Sequence, residues 1–179
     1  MNARGDAIAA EAAHDNDADF DATFIAQYPR IARVVARVVL DRGRAEEIAV
    51  EVFLKWRRHG EARGEGAVGW LYRTAVRMGL DELRRQARRA RYERVLHQLR
   101  RAPPTPEELH AARDERQRVR SVLAGMRPRD ASLLLLRGDG VSYDDVAAAL
   151  GIKPSSVGTL IGRAQHAFRT EYVRRYGTH

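Results

Sequence analysis

Apolar residues recur at three- and four-residue steps through most of the chain, and nowhere do they alternate every second residue. Phe20, Phe24, Tyr28, Ile31, Val35 and Val38 form one stripe, with Pro29 as a predicted kink or break within it. A second helix is predicted from Ala45 to about Arg58, with Ile48, Val52, Phe53 and Trp56 inward and Glu46, Glu47 and Glu51 outward. The stretch HGEARGEGAVG then reads as a glycine-rich loop, followed by a long helix from Trp70 into the nineties. Residues 1–18 are polar and acidic and are expected to be a mobile tail. The pattern is all-α.

Composition shifts at RRAPPTPEELHAARDE, where Pro103, Pro104 and Pro106 stop any helix and make a stiff connector. The expected division is therefore a helical domain over 19–97, a linker over 98–115 and a second helical domain over 116–179. The second domain carries a more specific pattern. Ser142 with Asp145 resembles a capping box, Gly151 suits a left-handed C-cap, and Pro154 takes the first position of the next helix. Ala147, Gly151 and Val157 have the small, glycine, aliphatic spacing of a helix-turn-helix, although a plain αα-hairpin would also be compatible. Its second helix would then turn Lys153, Ser155, Ser156, Gly158, Thr159, Gly162, Arg163 and His166 outward or to its flanks. Gly158 and Gly162 leave a bare stripe there, suited to close approach by DNA or by a partner helix.

Charge sharpens this reading. The chain of 179 residues has 32 Lys and Arg against 24 acids, a net +8, which favours a polyanionic partner or a membrane surface. Residues 70–101 concentrate ten arginines against three acids, with Trp70 and Tyr72 at the start of the segment. Arginine interleaved with aromatics suits unpaired bases, and the acidic face of the preceding helix suits a basic protein surface instead. With no cysteine and six scattered histidines, no thiolate metal site, disulfide, cofactor site or catalytic constellation is expected. No apolar run approaches the roughly 20 residues of a membrane span, and no signal peptide is apparent, so a cytoplasmic, non-enzymatic protein is expected.

Taken in order, these segments resemble bacterial RNA polymerase sigma factors of the small two-domain, extracytoplasmic-function (ECF) type. AEEIAVEVF stands where the family has AEDLVQEVF, WLYRTAVR where it has WLYRIARN, and SYDDVAAALGI where it has SYxEIAxxLGI. The resemblance implies that Glu46, Glu47, Val50 and Glu51 face core RNA polymerase, on the clamp helices of β′. It implies that Arg63, Tyr72, Arg73, Arg77, Arg84, Arg85 and Arg88 handle the −10 element, and that residues 153–166 read the −35 element of promoter DNA. Core polymerase, including β, and an anti-sigma factor are the implied partners. Three positions depart from the pattern: Val50 replaces a glutamine, Arg77 an asparagine, and Gly158 a lysine of the reading helix. A stand-alone helix-turn-helix regulator would account for the C-terminal module but leave the acidic helix and the arginine-rich helix without a role.

Overall fold

The computed structural model describes residues 3–39, 41–59, 64–100 and 111–177. Among these are seven α-helices, one short 3-10 turn and no strand. Helix α1 spans Ala3–Ala36, α2 Arg42–Arg58, α3 Ala67–Arg100, α4 Ala111–Gly125, α5 Pro128–Gly138, α6 Tyr143–Leu150 and α7 Pro154–Tyr176.

Helix α1 is longer than the apolar stripe that predicts it. The backbone is helical from Ala3, through the segment expected as a tail, consistent with the alanine-rich run over 7–13. Pro29 does not divide the helix. The carbonyl it fails to engage is that of Ile25, a residue 75% exposed, so solvent can satisfy it. Helix α2 begins as its sequence requires: the Asp41 carboxylate accepts the Arg44 backbone N–H at 2.9 Å. The two helices meet through aromatic rings, with Phe24 edge-on to Phe53 at 4.8 Å and Phe20 stacked on Trp56 at 5.6 Å. Such pairs add about 1 kcal/mol each beyond the area they bury.

The helix-turn-helix forms as its local signals dictate. Ser142 Oγ accepts the Asp145 N–H at 3.1 Å, Gly151 adopts φ 63°, and Pro154 opens α7. Ala147 and Val157 are buried between the two helices. The expected linker is only partly described: α3 continues to Arg100 and α4 starts at Ala111, and the three prolines lie outside the described residues.

The two helical modules are packed on each other rather than held apart. Helix α3 contacts α1 and α2 on one side and α4, α5 and α6 on the other, so one continuous core contains Leu71 and Leu80 together with Leu133 and Val146. Gly69 permits the α3–α6 approach, since a Cβ there would lie 3.0 Å from the Ala148 Cβ. Away from that seam, Asp139 at the end of α5 receives the Nε–H groups of Arg33 at 3.2 Å and Arg37 at 3.1 Å, with its own side chain only 2% exposed.

Glu82 ties α2 to α3. Its carboxylate is buried, and it accepts from Arg85 at 2.6 Å, Gln86 at 3.0 Å and Arg44 at 3.4 Å. Burial alone would raise its pKa, but these hydrogen bonds outweigh burial and hold it below the ordinary carboxylate value. A lowered folded-state pKa stabilises above the unfolded value of about 4.3 and is lost as pH falls through the folded value. Glu82→Gln should therefore be less stable at pH 7 by about 1–3 kcal/mol, and should lose less stability on acidification. Denaturant melts between pH 7 and pH 3 test this: parallel pH profiles for the two proteins would remove Glu82 from the account.

Candidate nucleic-acid interface

On the outer face of α2, Glu46, Glu47 and Val50 are exposed and Glu51 is half-buried. They line, with Tyr28 and Gly43, a shallow depression of about 540 Å³. Val50 and Leu54, 40% and 45% exposed, add apolar surface beside the acids. Sequence reasoning missed Arg44. Its Nη1 donates to Glu47 at 2.9 Å and to Glu51 at 3.1 Å while its Nε reaches Glu82. These carboxylates push its pKa up, the Glu47 hydrogen bond most strongly, against an opposing effect of burial. The acidic face is thus partly neutralised from within, with Glu46 paired in turn to Arg42 at 3.1 Å. The signal was available, since Arg44 is three residues before Glu47 and seven before Glu51.

The residues expected to handle a DNA strand are split by the fold. Arg63 lies outside the described residues. Tyr72 is only 3% exposed, and burial raises its pKa, so as folded it cannot stack on a base. Of the two aromatics at the start of α3, Trp70 is the more accessible, half-buried and edge-on to the His59 ring at 5.4 Å. Arg73 is occupied too. Its Nε donates to the Ala149 carbonyl at 2.6 Å and Nη2 to that of Ala148 at 3.0 Å. Those carbonyls lie in the last turn of α6, the negative end of its dipole, so the guanidinium caps a helix of the other module. Arg84 does the same for α4, through the carbonyls of Ala124 at 3.3 Å and Met126 at 3.4 Å. Arg85 holds Glu82, whereas Arg77 and Arg88 are exposed.

The face of α7 remains open. Ser155, Gly158, Thr159, Gly162, Arg163 and His166 are exposed, as is Lys153 just before the helix, and Ser156 is half-buried. Val157, Ile161 and Ala164 supply the buried edge. Neither glycine answers a crowding requirement within the chain: a Cβ at Gly158 would make ordinary contact with Tyr143 at 3.6 Å, and one at Gly162 would meet nothing within 4 Å. Arg129, near the start of α5, joins Lys153, Ser155, Thr159 and Arg163 around a concavity of about 590 Å³ at the N-terminal end of α7. Hydroxyls, two arginines and a lysine suit phosphate. Arg129 was not singled out in the sequence, because its nearness to α7 depends on how α5 crosses it.

A buried helix followed by an exposed, hydroxyl- and arginine-bearing one defines a helix-turn-helix protein of the nucleic-acid-binding class. Comparison with known families makes this specific. Sigma-70 region 2 matches residues 24–89, and sigma-70 region 4 matches residues 116–164. The ECF RNA polymerase sigma factor SigE of Mycolicibacterium smegmatis is 27% identical over 154 residues, covering 83% of this chain and 59% of that one. The RNA polymerase sigma-H factor of Pseudomonas aeruginosa is 28% identical over 162 residues, covering 83% of each chain. Among solved structures, the sigma factor RpoE of Bartonella quintana, in complex with the anti-sigma factor NepR, shares the fold with a TM-score of 0.50 at 15% identity, over 86% of this chain and 96% of that one. The chain belongs to the sigma-70 family, in its ECF type. No helix among the described residues is long and apolar enough to cross a membrane.

Arg73, Arg84 and Asp139 are polar fasteners between the modules, each replacing solvent contacts with charge-assisted hydrogen bonds worth roughly 1.5–3 kcal/mol. Arg73→Ala/Asp139→Asn should therefore shift the chain toward separated modules by about tenfold or more. Because the chain has no cysteine, dyes on cysteines introduced at Lys55 and Arg169 report the separation by energy transfer. Unchanged transfer efficiency would mean that the apolar seam and Arg84 hold the modules together without these two side chains.

Proposed function

We propose that this chain is an alternative sigma factor that binds core RNA polymerase and directs promoter-specific transcription initiation. The observation that carries the reading is the presence on one chain, in region 2 to region 4 order, of three surfaces of different chemistry: an exposed acidic and apolar face on α2, an arginine-rich α3 and an open reading helix α7. Glu46, Glu47, Val50 and Glu51 meet the clamp helices of β′, and the C-terminal module meets β. Arginines of α3 hold the −10 strand, and α7 reads the −35 duplex. The protein works in the cytoplasm, on promoter DNA, and catalyses no reaction itself.

The packing of the modules adds a condition to this scheme. Arg73 and Arg84 are engaged by the C-terminal module and Tyr72 is buried, whereas the outer face of α7 is open. The closed form can meet a duplex through α7, but its α3 face becomes available to a single strand only when the modules part. An anti-sigma factor is a natural partner for such a two-state chain, because a protein that prefers the closed arrangement keeps it inactive. The Bartonella neighbour seen in complex with NepR supports including such a partner.

Co-elution with bacterial core polymerase tests the first surface. The wild-type chain should bind stably, and Glu47→Arg/Glu51→Arg should abolish binding by reversing the charge of the α2 face. Failure of the wild type alongside a working sigma factor, with promoter DNA still bound, would favour the stand-alone regulator instead.

Gly158 provides a second test, on the duplex. With glycine there, α7 lies close to DNA through backbone and hydroxyl contacts and few charges. Gly158→Lys should steepen the fall of affinity with salt by about 0.9 in the logarithmic slope, one added phosphate contact. Equal slopes and unchanged −35 preference would mean that this face of α7 does not dock on DNA.

A further inference from the structure

A cleft of about 640 Å³ opens where the second half of α3 faces α4, with Asp41 and Arg175 at its edges. It is separate from the open face of α7 and from the depression on α2. Five arginines line it, Arg84, Arg88, Arg91, Arg120 and Arg175, against the single carboxylate of Asp41. That carboxylate is already engaged as the N-cap of α2. Arg84 is satisfied by carbonyls at the end of α4, and Arg175 by Glu171 and Ser121.

Arg120 is different. Its Nε and Nη1 are buried and have no hydrogen-bond partner. Burial, with the nearby charge of Arg116, pushes its pKa down. Leaving two guanidinium nitrogens buried without a partner is costly, and a helix of this kind could have placed a leucine or methionine there without that cost. Exposed Arg88 and Arg91 stand at the mouth of the same cleft. Gly125 lets the Arg175 guanidinium lie against α4 at the edge of the cleft, since a Cβ there would come within 2.7 Å of Arg175 Nη2. Leu83, Ala87, Ala90 and Ala124 form an apolar part of the wall, and Gln86, Gln117 and Ser121 add neutral polar groups.

From this geometry we infer that the α3–α4 cleft binds a small polyphosphorylated anion of the nucleoside di- or triphosphate class, with Arg120 at its base and Arg88 and Arg91 closing over the phosphates. Guanidinium groups match phosphate oxygens bidentately, and several converging on one site favour adjacent phosphates over a lone ion. The apolar wall gives a planar base a surface to lie on, and the volume falls in the usual range for small-ligand sites. A nucleic-acid backbone fits less well, because it presents its phosphates along an extended track rather than into a concavity. The cleft is built from both modules, so an occupant stabilises their contact and, on the proposed sigma-factor reading, the closed form. The binding itself does not depend on that reading.

Calorimetric titration of the full chain with GTP, ATP and orthophosphate at fixed ionic strength tests the inference without polymerase. A nucleoside triphosphate should bind at least about tenfold more tightly than orthophosphate. Arg120→Met and Arg88→Ala/Arg91→Ala should each weaken nucleotide binding by about tenfold or more. Arg58→Ala/Arg169→Ala, which removes two exposed charges elsewhere, should leave it within about twofold. Arg120→Met should also melt at least as high as the wild type without ligand, showing that lost binding is not lost folding. The inference is overturned if neither nucleotide binds, if orthophosphate binds as tightly, or if the distant pair of substitutions weakens binding as much as those in the cleft. A failed polymerase test with intact nucleotide binding would remove the sigma-factor reading and leave the site.

Discussion

Helix α3 can serve both modules because Gly69, near its start, lets the backbone of α6 come close at Ala148. Any side chain at residue 69 would need Ala148 or its backbone to move. From that approach follow the other contacts across the seam. Arg73, one turn further along α3, reaches the last carbonyls of α6, and Tyr72 is enclosed. Further down, Arg84 finds the end of α4, and the unused guanidinium of Arg120 is trapped beside the same helix pair. One steric allowance thus determines which arginines of α3 remain available.

The same arginines serve two chemistries. A guanidinium that caps a helix end satisfies orphan carbonyls, and it would satisfy phosphate oxygens equally well, since both are clustered anionic acceptors in fixed geometry. This exchangeability lets one surface be closed by its own chain and opened onto DNA. It requires that the closed contacts be individually modest, a few hydrogen bonds rather than a deep interlock. Arg73 and Arg84, which reach the other module only through two backbone carbonyls each, fit that requirement. The acidic face of α2 is handled differently: Arg44 keeps three carboxylates together, lowering their mutual repulsion while leaving Glu46 and Glu47 exposed.

Much of this was legible before any coordinates. The inward residues of α2, the cap at Ser142, the left-handed Gly151, Pro154 at the start of α7 and the exposure of its glycine stripe all follow from local rules. Each depends on residues within about one or two helical turns of one another, the range over which backbone geometry and side-chain periodicity act. One departure is local: the acidic residues before residue 19 suggest a tail, whereas the alanines there carry helix propensity. The other lies where a longer range decides. The arginine neighbours of Tyr72 suggest an accessible ring, whereas the fold leaves it only 3% exposed.

The sequence alone thus determined the helices, their caps, the all-α class and the family, because these are written in spacing along the chain. The tertiary structure alone decided which charged groups are free. Asp139 lies 106 residues from Arg33 in sequence and 3.2 Å from it in space. Arg120 carries the same local signal as its neighbours, yet its Nε and Nη1 end buried without a partner. Periodicity says that a face will be covered, but only the crossing of helices says by what. The chemistry left over at each crossing is therefore a property of the fold.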